Sequence, residues 1–313
     1  MDKLLQFSNV LVPEYLKLKL VSLYRKLPFT LPHIILHPTL LCNYQCSYCL
    51  YPKYLDKDNS VFKTNIPYQE WLVLFDKFPR STITISGGEP LLYKDLDRLI
   101  LGLAKTHIIS QVISNISTNL DVLVRAKKAN FRLMASFHGG RASLDEFSKN
   151  LLYLKKQKLN ITVNFVGTNE NLKDFKYYED YFKKKLKVFF RVDAYEDLNR
   201  EIKDLKISIH GINYILDREK YNNYKSKSCL GGSKYFIVKP NADVYRCHSG
   251  FMYINSKEYK KVASQMDLSS FLLGNLKDPD FKLRNITFIC HSPCRGVCDI
   301  ELAAVKLSKE HLQ

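Results

Sequence analysis

Residues 33–49 read His-Ile-Ile-Leu-His-Pro-Thr-Leu-Leu-Cys-Asn-Tyr-Gln-Cys-Ser-Tyr-Cys. The β-rich run His33 to His37 gives way to a loop with three thiols, Cys42, Cys46 and Cys49. Downstream, short β-rich runs alternate with helical stretches, the signature of βα units around a parallel sheet. Six strands are expected: His33 to His37, Thr82 to Ser86, Ile108 to Ile116, Phe131 to Ser136, Ile161 to Val166 and Val188 to Asp193. Between them Tyr68 to Lys77, Leu92 to Lys105, Asp121 to Ala129, Ser143 to Lys156 and Leu172 to Lys184 space their apolar residues as helices do. Asp121 and Ser143 are expected N-caps, and Glu146 three residues after Ser143 completes a capping-box pattern. The pattern weakens after Asp197. A β-hairpin is then expected from Tyr235 to Val238 and Val244 to Arg246, turning through Pro240-Asn241-Ala242-Asp243.

The thiol spacing, C-x3-C-x2-C, lets one loop grip three corners of a four-iron four-sulfur (4Fe-4S) cluster and leave the fourth iron open. Such clusters normally take four cysteines. Zinc is the competitor, but structural zinc wants four ligands, and the nearest spare ligand is His37 at a strand end. The chain has 313 residues, 46% of them apolar, enough for one large domain or a medium one with a smaller companion. With 12 Gly, 11 Pro and no heptad or Gly-X-Y repeat, collagen and coiled coil are excluded. The N-terminal stretch lacks the form of a secretory signal, and no apolar run is long enough to span a bilayer, so a cytoplasmic protein without membrane contact is expected. In a reducing compartment eight cysteines read as ligands rather than disulfides. The net charge of +17 comes largely from lysines scattered over separate helical stretches, which read as solvated faces. A basic zinc-stabilised module that binds nucleic acid is the rival class, but no reader motif supports it, and nucleic acid is not an expected partner.

A second motif, Ser86-Gly87-Gly88-Glu89-Pro90, follows the second strand. Together with the cysteine spacing and Tyr48 before the last thiol, it resembles the radical SAM superfamily. The resemblance implies a partial (β/α)6 TIM-like barrel within an α/β fold. It also implies a 4Fe-4S cluster on Cys42, Cys46 and Cys49, and S-adenosyl-L-methionine (SAM) bound at Tyr48 and at Gly87, Gly88, Glu89 and Pro90. An enzyme of this kind reductively cleaves SAM to a 5′-deoxyadenosyl radical that abstracts hydrogen from a substrate. The polar residues fall where a barrel gathers chemistry, at the carboxyl ends of strands. Ser117, Asn119, Ser136 and Asn164 are the candidates for further cofactor contacts, and His138 and Arg191 could face substrate.

Five more thiols lie in the last third, with Cys229 and Cys247 flanking the expected hairpin and Cys290, Cys294 and Cys298 beyond it. This group resembles the SPASM and twitch auxiliary-cluster regions of the superfamily, and five thiols suggest one auxiliary 4Fe-4S cluster. Cys229 and Cys247 are expected ligands, completed by two of the last three, and His248 and His291 adjoin them. The organisation expected is a helical extension over 1–30, a radical SAM barrel over 31–204 and a small auxiliary-cluster domain with a β-hairpin over 205–313. An oxidoreductase or maturase is implied, acting on a ribosomally made peptide or else on a small molecule such as a sugar alcohol or cofactor precursor. Its electron would come from a donor such as flavodoxin or ferredoxin. Thirty N-terminal residues are short for a separate leader-recognition domain, which weighs against the peptide without excluding it.

Overall fold

A computed structural model of the chain describes residues 31–49, 51, 60–168, 170–194, 227–229, 231–255, 268–283, 288–290 and 306–307. Six strands lie side by side in chain order and run parallel: β1 His33–Leu36, β2 Thr82–Ile85, β3 Ile108–Ser114, β4 Arg132–Phe137, β5 Asn160–Gly167 and β6 Phe189–Ala194. Each is one expected from the sequence, with ends displaced by at most two residues. The sheet is open, as a partial barrel requires, with β6 at one end of the strand order.

Alternation along the strands sorts the two faces. Ile34, Leu36, Ile83, Ile85, Leu133, Ala135, Phe137, Val163 and Phe165 join one apolar core with residues of the covering helices. Those helices are α1 Tyr68–Phe75, α2 Leu96–Leu103, α3 Leu120–Ala126, α4 Leu144–Lys156 and α5 Phe175–Asp180. In α2 the buried residues are Leu96, Leu99, Ile100 and Leu103, the spacing of one helical face, and each contributes about 2 kcal/mol by leaving water. The opposite side of the sheet carries polar groups among its side chains. There His33 meets Thr82 at 2.9 Å and Thr84 at 3.1 Å, and Thr84 meets Ser110 at 3.2 Å.

Local signals fared unevenly. Ser143 caps α4, its hydroxyl accepting from the Glu146 N–H. Asp121 does not cap: α3 starts one residue earlier behind Asn119, and Asp121 accepts a hydrogen bond from the Tyr153 hydroxyl at 2.5 Å. The helix expected from Leu92 divides into a 3-10 turn, Pro90–Leu92, and α2, because Tyr93 is extended and sends its hydroxyl to Ile66 O. The stretch Leu172 to Lys184 forms a 3-10 turn, then α5, then a π turn over Tyr181–Lys185 that keeps Phe182 in the core.

Three further strands continue the same sheet. After β7 Lys227–Cys229 come β8 Tyr235–Val238, β9 Asp243–Tyr245 and β10 Leu272–Asn275. β8 and β9 form the expected hairpin, one residue shorter at Arg246, and β8 pairs in parallel with β1, Val238 opposite Leu36. The nine-stranded order is therefore β10-β9-β8-β1-β2-β3-β4-β5-β6. β7 instead sits between β11 Phe288–Cys290 and β12 Lys306–Leu307 in a small antiparallel sheet. The N-terminal extension and the boundary expected at residues 204 and 205 lie outside the described residues. Among the described residues no helix is long and apolar enough to cross a membrane.

Candidate active site

β1 leads through Pro38 to Leu41 directly into the thiol loop, and this lead-in rests on the turn that follows β2. The Gly88 N–H donates to Thr39 O at 3.1 Å and the Glu89 N–H to Leu41 O at 2.7 Å. A β-carbon on Gly88 would overlap the carbonyl oxygens of Leu41 and Leu40, and one on Gly87 that of Thr39. Gly87 also has φ +132°, which a side chain disfavours. The two glycines thus let two backbones touch at the carboxyl end of the sheet.

Within the loop Cys46 is buried, Cys49 half-buried and Cys42 exposed. Burial raises the Cys46 thiol above its ordinary value. Cys49 is pushed up to about 11, first by burial and then by the neighbouring charges of Cys46 and Cys42. The three thiols thus lie within electrostatic reach of one another, and a coordinated metal would remove their protons outright. Among the described residues no three Cys, His, Asp or Glu side chains converge on one point as a single ion needs. By donor chemistry, thiolates are what an iron-sulfur cluster takes, whereas structural zinc wants a fourth ligand beside these three.

His138, after β4, faces this loop. Its Nδ1 lies 2.7 Å from the Tyr48 hydroxyl and 3.7 Å from Cys46 Sγ, and its ring stacks on Tyr48 with centroids 6.0 Å apart. Tyr44 meets the same ring edge-on. Burial lowers His138 to about 4, so it is neutral near pH 7. His37, the spare ligand of the zinc reading, is engaged by Tyr51 and Lys239 through Nδ1.

Glu89 is 1% exposed and joins three loops. Its Oε1 accepts from the Leu91 N–H at 3.0 Å and Ser114 Oγ at 2.8 Å, and its Oε2 from the Asn115 N–H at 2.7 Å. The Asn115 side chain donates to Asn43 Oδ1 at 3.0 Å, and Asn43 Nδ2 donates to Ser117 Oγ at 2.7 Å. Asn43 follows Cys42 directly, so the start of the thiol loop is tied through β3 to Glu89. Asn43, Ser114 and Asn115 were not among the residues singled out from sequence; a polar residue beside each motif is the only signal there. Replacing Glu89 by Gln would turn an amide donor toward a donor, either the Asn115 N–H or the Leu91 and Ser114 pair. Such a mismatch costs about 1–3 kcal/mol, so Glu89→Gln is expected to lower the denaturant midpoint without changing the slope. An unchanged midpoint would contradict the network.

Of the remaining candidates, Ser117 lies in this network and lines a shallow cleft with Tyr44, Ile116, Glu146 and Asn150. Ile116 there has φ 50°, costly for a β-branched residue, and is held by Ser114 Oγ on its N–H and Asn150 Nδ2 on its carbonyl. Asn119 is exposed and bonds Leu91 O at 3.1 Å. Ser136, Asn164 and Arg191 occupy one row of paired positions across β4, β5 and β6.

Cys247 follows β9, half-buried, its sulfur accepting from the Gly250 N–H at 3.2 Å. Cys229 ends β7 opposite Phe288, and Cys290 ends β11 opposite Lys227. Cys294, Cys298 and His291 lie outside the described residues.

A sequence model of the family described as the Radical SAM superfamily matches residues 36–215. The chain is 24% identical over 260 residues to a PqqA peptide cyclase of Rhodopseudomonas palustris, covering 69% of this chain and 67% of that protein. It is 25% identical over 195 residues to an S-adenosylmethionine-dependent nucleotide dehydratase of Lacinutrix mariniflava, 54% of this chain. The match spans only 39% of that dehydratase's length. Among solved structures, native anSMEcpe with bound AdoMet superposes with TM-score 0.53 at 18% identity, covering 79% of this chain and 78% of that one. Streptococcus suis SuiB gives 0.51 at 15% identity, covering 78% and 65%. At these identities the likeness is one of fold.

Proposed function

The chain belongs to the radical SAM superfamily, and on that premise we propose that it is a SAM-dependent peptide-modifying enzyme with two iron-sulfur clusters. Cys42, Cys46 and Cys49 would hold the first 4Fe-4S cluster. The observation that carries this is the loop itself, three thiols within eight residues docked through the main chain against Gly87 and Gly88. When bound, the cluster and SAM together supply a carbon-centred radical able to take hydrogen from an unreactive C–H bond. The chain's own part is to bind, orient and shield. Gly87 to Pro90 set the floor against which the thiol loop lies, and Glu89 fixes Ser114 and Asn115 beneath it. The Tyr48–His138 stack covers Cys46 and limits water there. Ser117 and Asn119 beyond β3, Ser136 near the end of β4 and Asn164 within β5 would offer polar contacts for the rest of the cofactor.

Cys229 and Cys247, with two of Cys290, Cys294 and Cys298, would hold an auxiliary 4Fe-4S cluster of SPASM or twitch type. A peptide substrate is favoured by the likeness to a PqqA peptide cyclase, which extends over 69% of the chain. A small-molecule substrate is the second reading, supported by 42% identity over 69 residues to a GTP 3′,8-cyclase of Staphylococcus saprophyticus, 19% of each chain. A flavodoxin- or ferredoxin-like donor would supply electrons.

Anaerobically reconstituted protein with dithionite and SAM is expected to release 5′-deoxyadenosine, measured by liquid chromatography. No product would remove the catalytic reading. Mass spectrometry of a precursor peptide encoded beside the gene then separates the two substrates: hydrogen loss from the peptide supports the first, and an unchanged peptide the second.

A further inference from the structure

The thiol loop is held at its start by the Asn43 network and, two residues beyond Cys49, by a lysine from the hairpin. Lys239 directly follows β8 and is wholly buried, at 0% exposed. Because Val238 pairs with Leu36, Lys239 and His37 leave the sheet side by side, at the end where the thiols lie. The Lys239 ammonium donates to His37 Nδ1 at 3.0 Å and to the Tyr51 hydroxyl at 3.3 Å. It stands 3.7 Å from the Phe251 ring centre and 4.8 Å from that of Tyr51. An ammonium can only donate, so His37 Nδ1 is the acceptor. Burial and the Lys239 charge hold His37 well below its usual range, which keeps that nitrogen free to accept.

The lysine is delivered from a fixed support. Its N–H donates to Asp243 O and its carbonyl accepts from the Ala242 N–H, closing the turn. Asn275 of β10 then bonds both Asn241 O at 2.9 Å and Asp243 Oδ1 at 2.8 Å. Taking an ammonium out of water is costly, and the two cation–π contacts offset part of that cost. The contacts to His37 and Tyr51 bracket the thiol loop: one is where the chain enters it, the other where it leaves.

We propose that Lys239 is a positioning residue for the thiol loop, gripping His37 and Tyr51 so that the hairpin beyond the barrel sets the geometry of the barrel's three-thiol site. This rests on the reading that those thiols carry the cluster to which SAM binds. The test uses full-length, anaerobically reconstituted protein reduced with dithionite. Its electron paramagnetic resonance spectrum is followed against SAM concentration, which reads only a cluster that responds to SAM. Lys239→Met keeps the apolar stem and removes the charge and its donors. The SAM concentration for half the spectral change should rise about tenfold, the scale of one hydrogen bond to a charged group. Tyr51→Phe, which removes one acceptor and no charge, should shift it the same way by less, and decides the matter if Lys239→Met does not fold. Wild-type SAM dependence in the folded variants would overturn the proposal. A wild-type spectrum indifferent to SAM would overturn the cluster reading itself, and this inference with it.

Discussion

Cys46→Ala is expected to abolish 5′-deoxyadenosine formation from SAM while leaving the fold intact. Cys46 is the buried member of the trio, and His138 Nδ1, 3.7 Å from its sulfur, is already engaged by the Tyr48 hydroxyl. Recruiting His138 in place of the lost ligand would break that pair. The truncation removes one sulfur atom from a buried site, a cost of about 1 kcal/mol, so the thermal midpoint should move only a few degrees. Substantial product from this variant would remove Cys46 from the proposed ligand set. A collapsed melting curve would show a structural role instead.

Gly88→Ala should have the next largest effect, through the backbone rather than through any ligand. The new methyl would overlap main-chain oxygens of Leu40 and Leu41, which cannot turn aside as a side-chain tip can. The lead-in to the thiols must then lift from the turn, straining the hydrogen bonds from Gly88 to Thr39 and from Glu89 to Leu41. Overpacking of this kind costs about 1–3 kcal/mol. Displacing the thiol loop by about 1 Å would lower deoxyadenosine formation by about a hundredfold. Both are measurable, by denaturant unfolding and by product release. A variant with wild-type midpoint and rate would mean that the backbones need not touch.

The strands were legible because each carries a compact run of apolar and β-branched residues bounded by turn residues, as Thr82–Ile85 does between Ser81 and the Gly87–Gly88 turn. The site was legible where its chemistry is local: three thiols within eight residues, and two glycines next to one another. It was not legible where contacts are long-range. Asn43 and Asn115 stand 72 residues apart in sequence, and neither carries a signal that it will meet the other. Lys239 sits in a Lys-Pro-Asn-Ala turn, a context in which a lysine reads as solvated. Only the parallel pairing of β8 with β1, invisible from the local pattern, puts it indoors. Asp121 misled for the same reason, since a tyrosine 32 residues away claimed the carboxylate that local rules assign to a cap.

The pairing of β8 with β1 also governs how the molecule could be taken apart. A fragment cut after β6 would strip β1 of one neighbour and bare a row of unsatisfied main-chain groups along a strand that is buried throughout its length, an invitation to self-association. Any chimera that exchanges the tail for that of another protein must therefore carry its own replacement for Tyr235–Val238, or inherit an insoluble half.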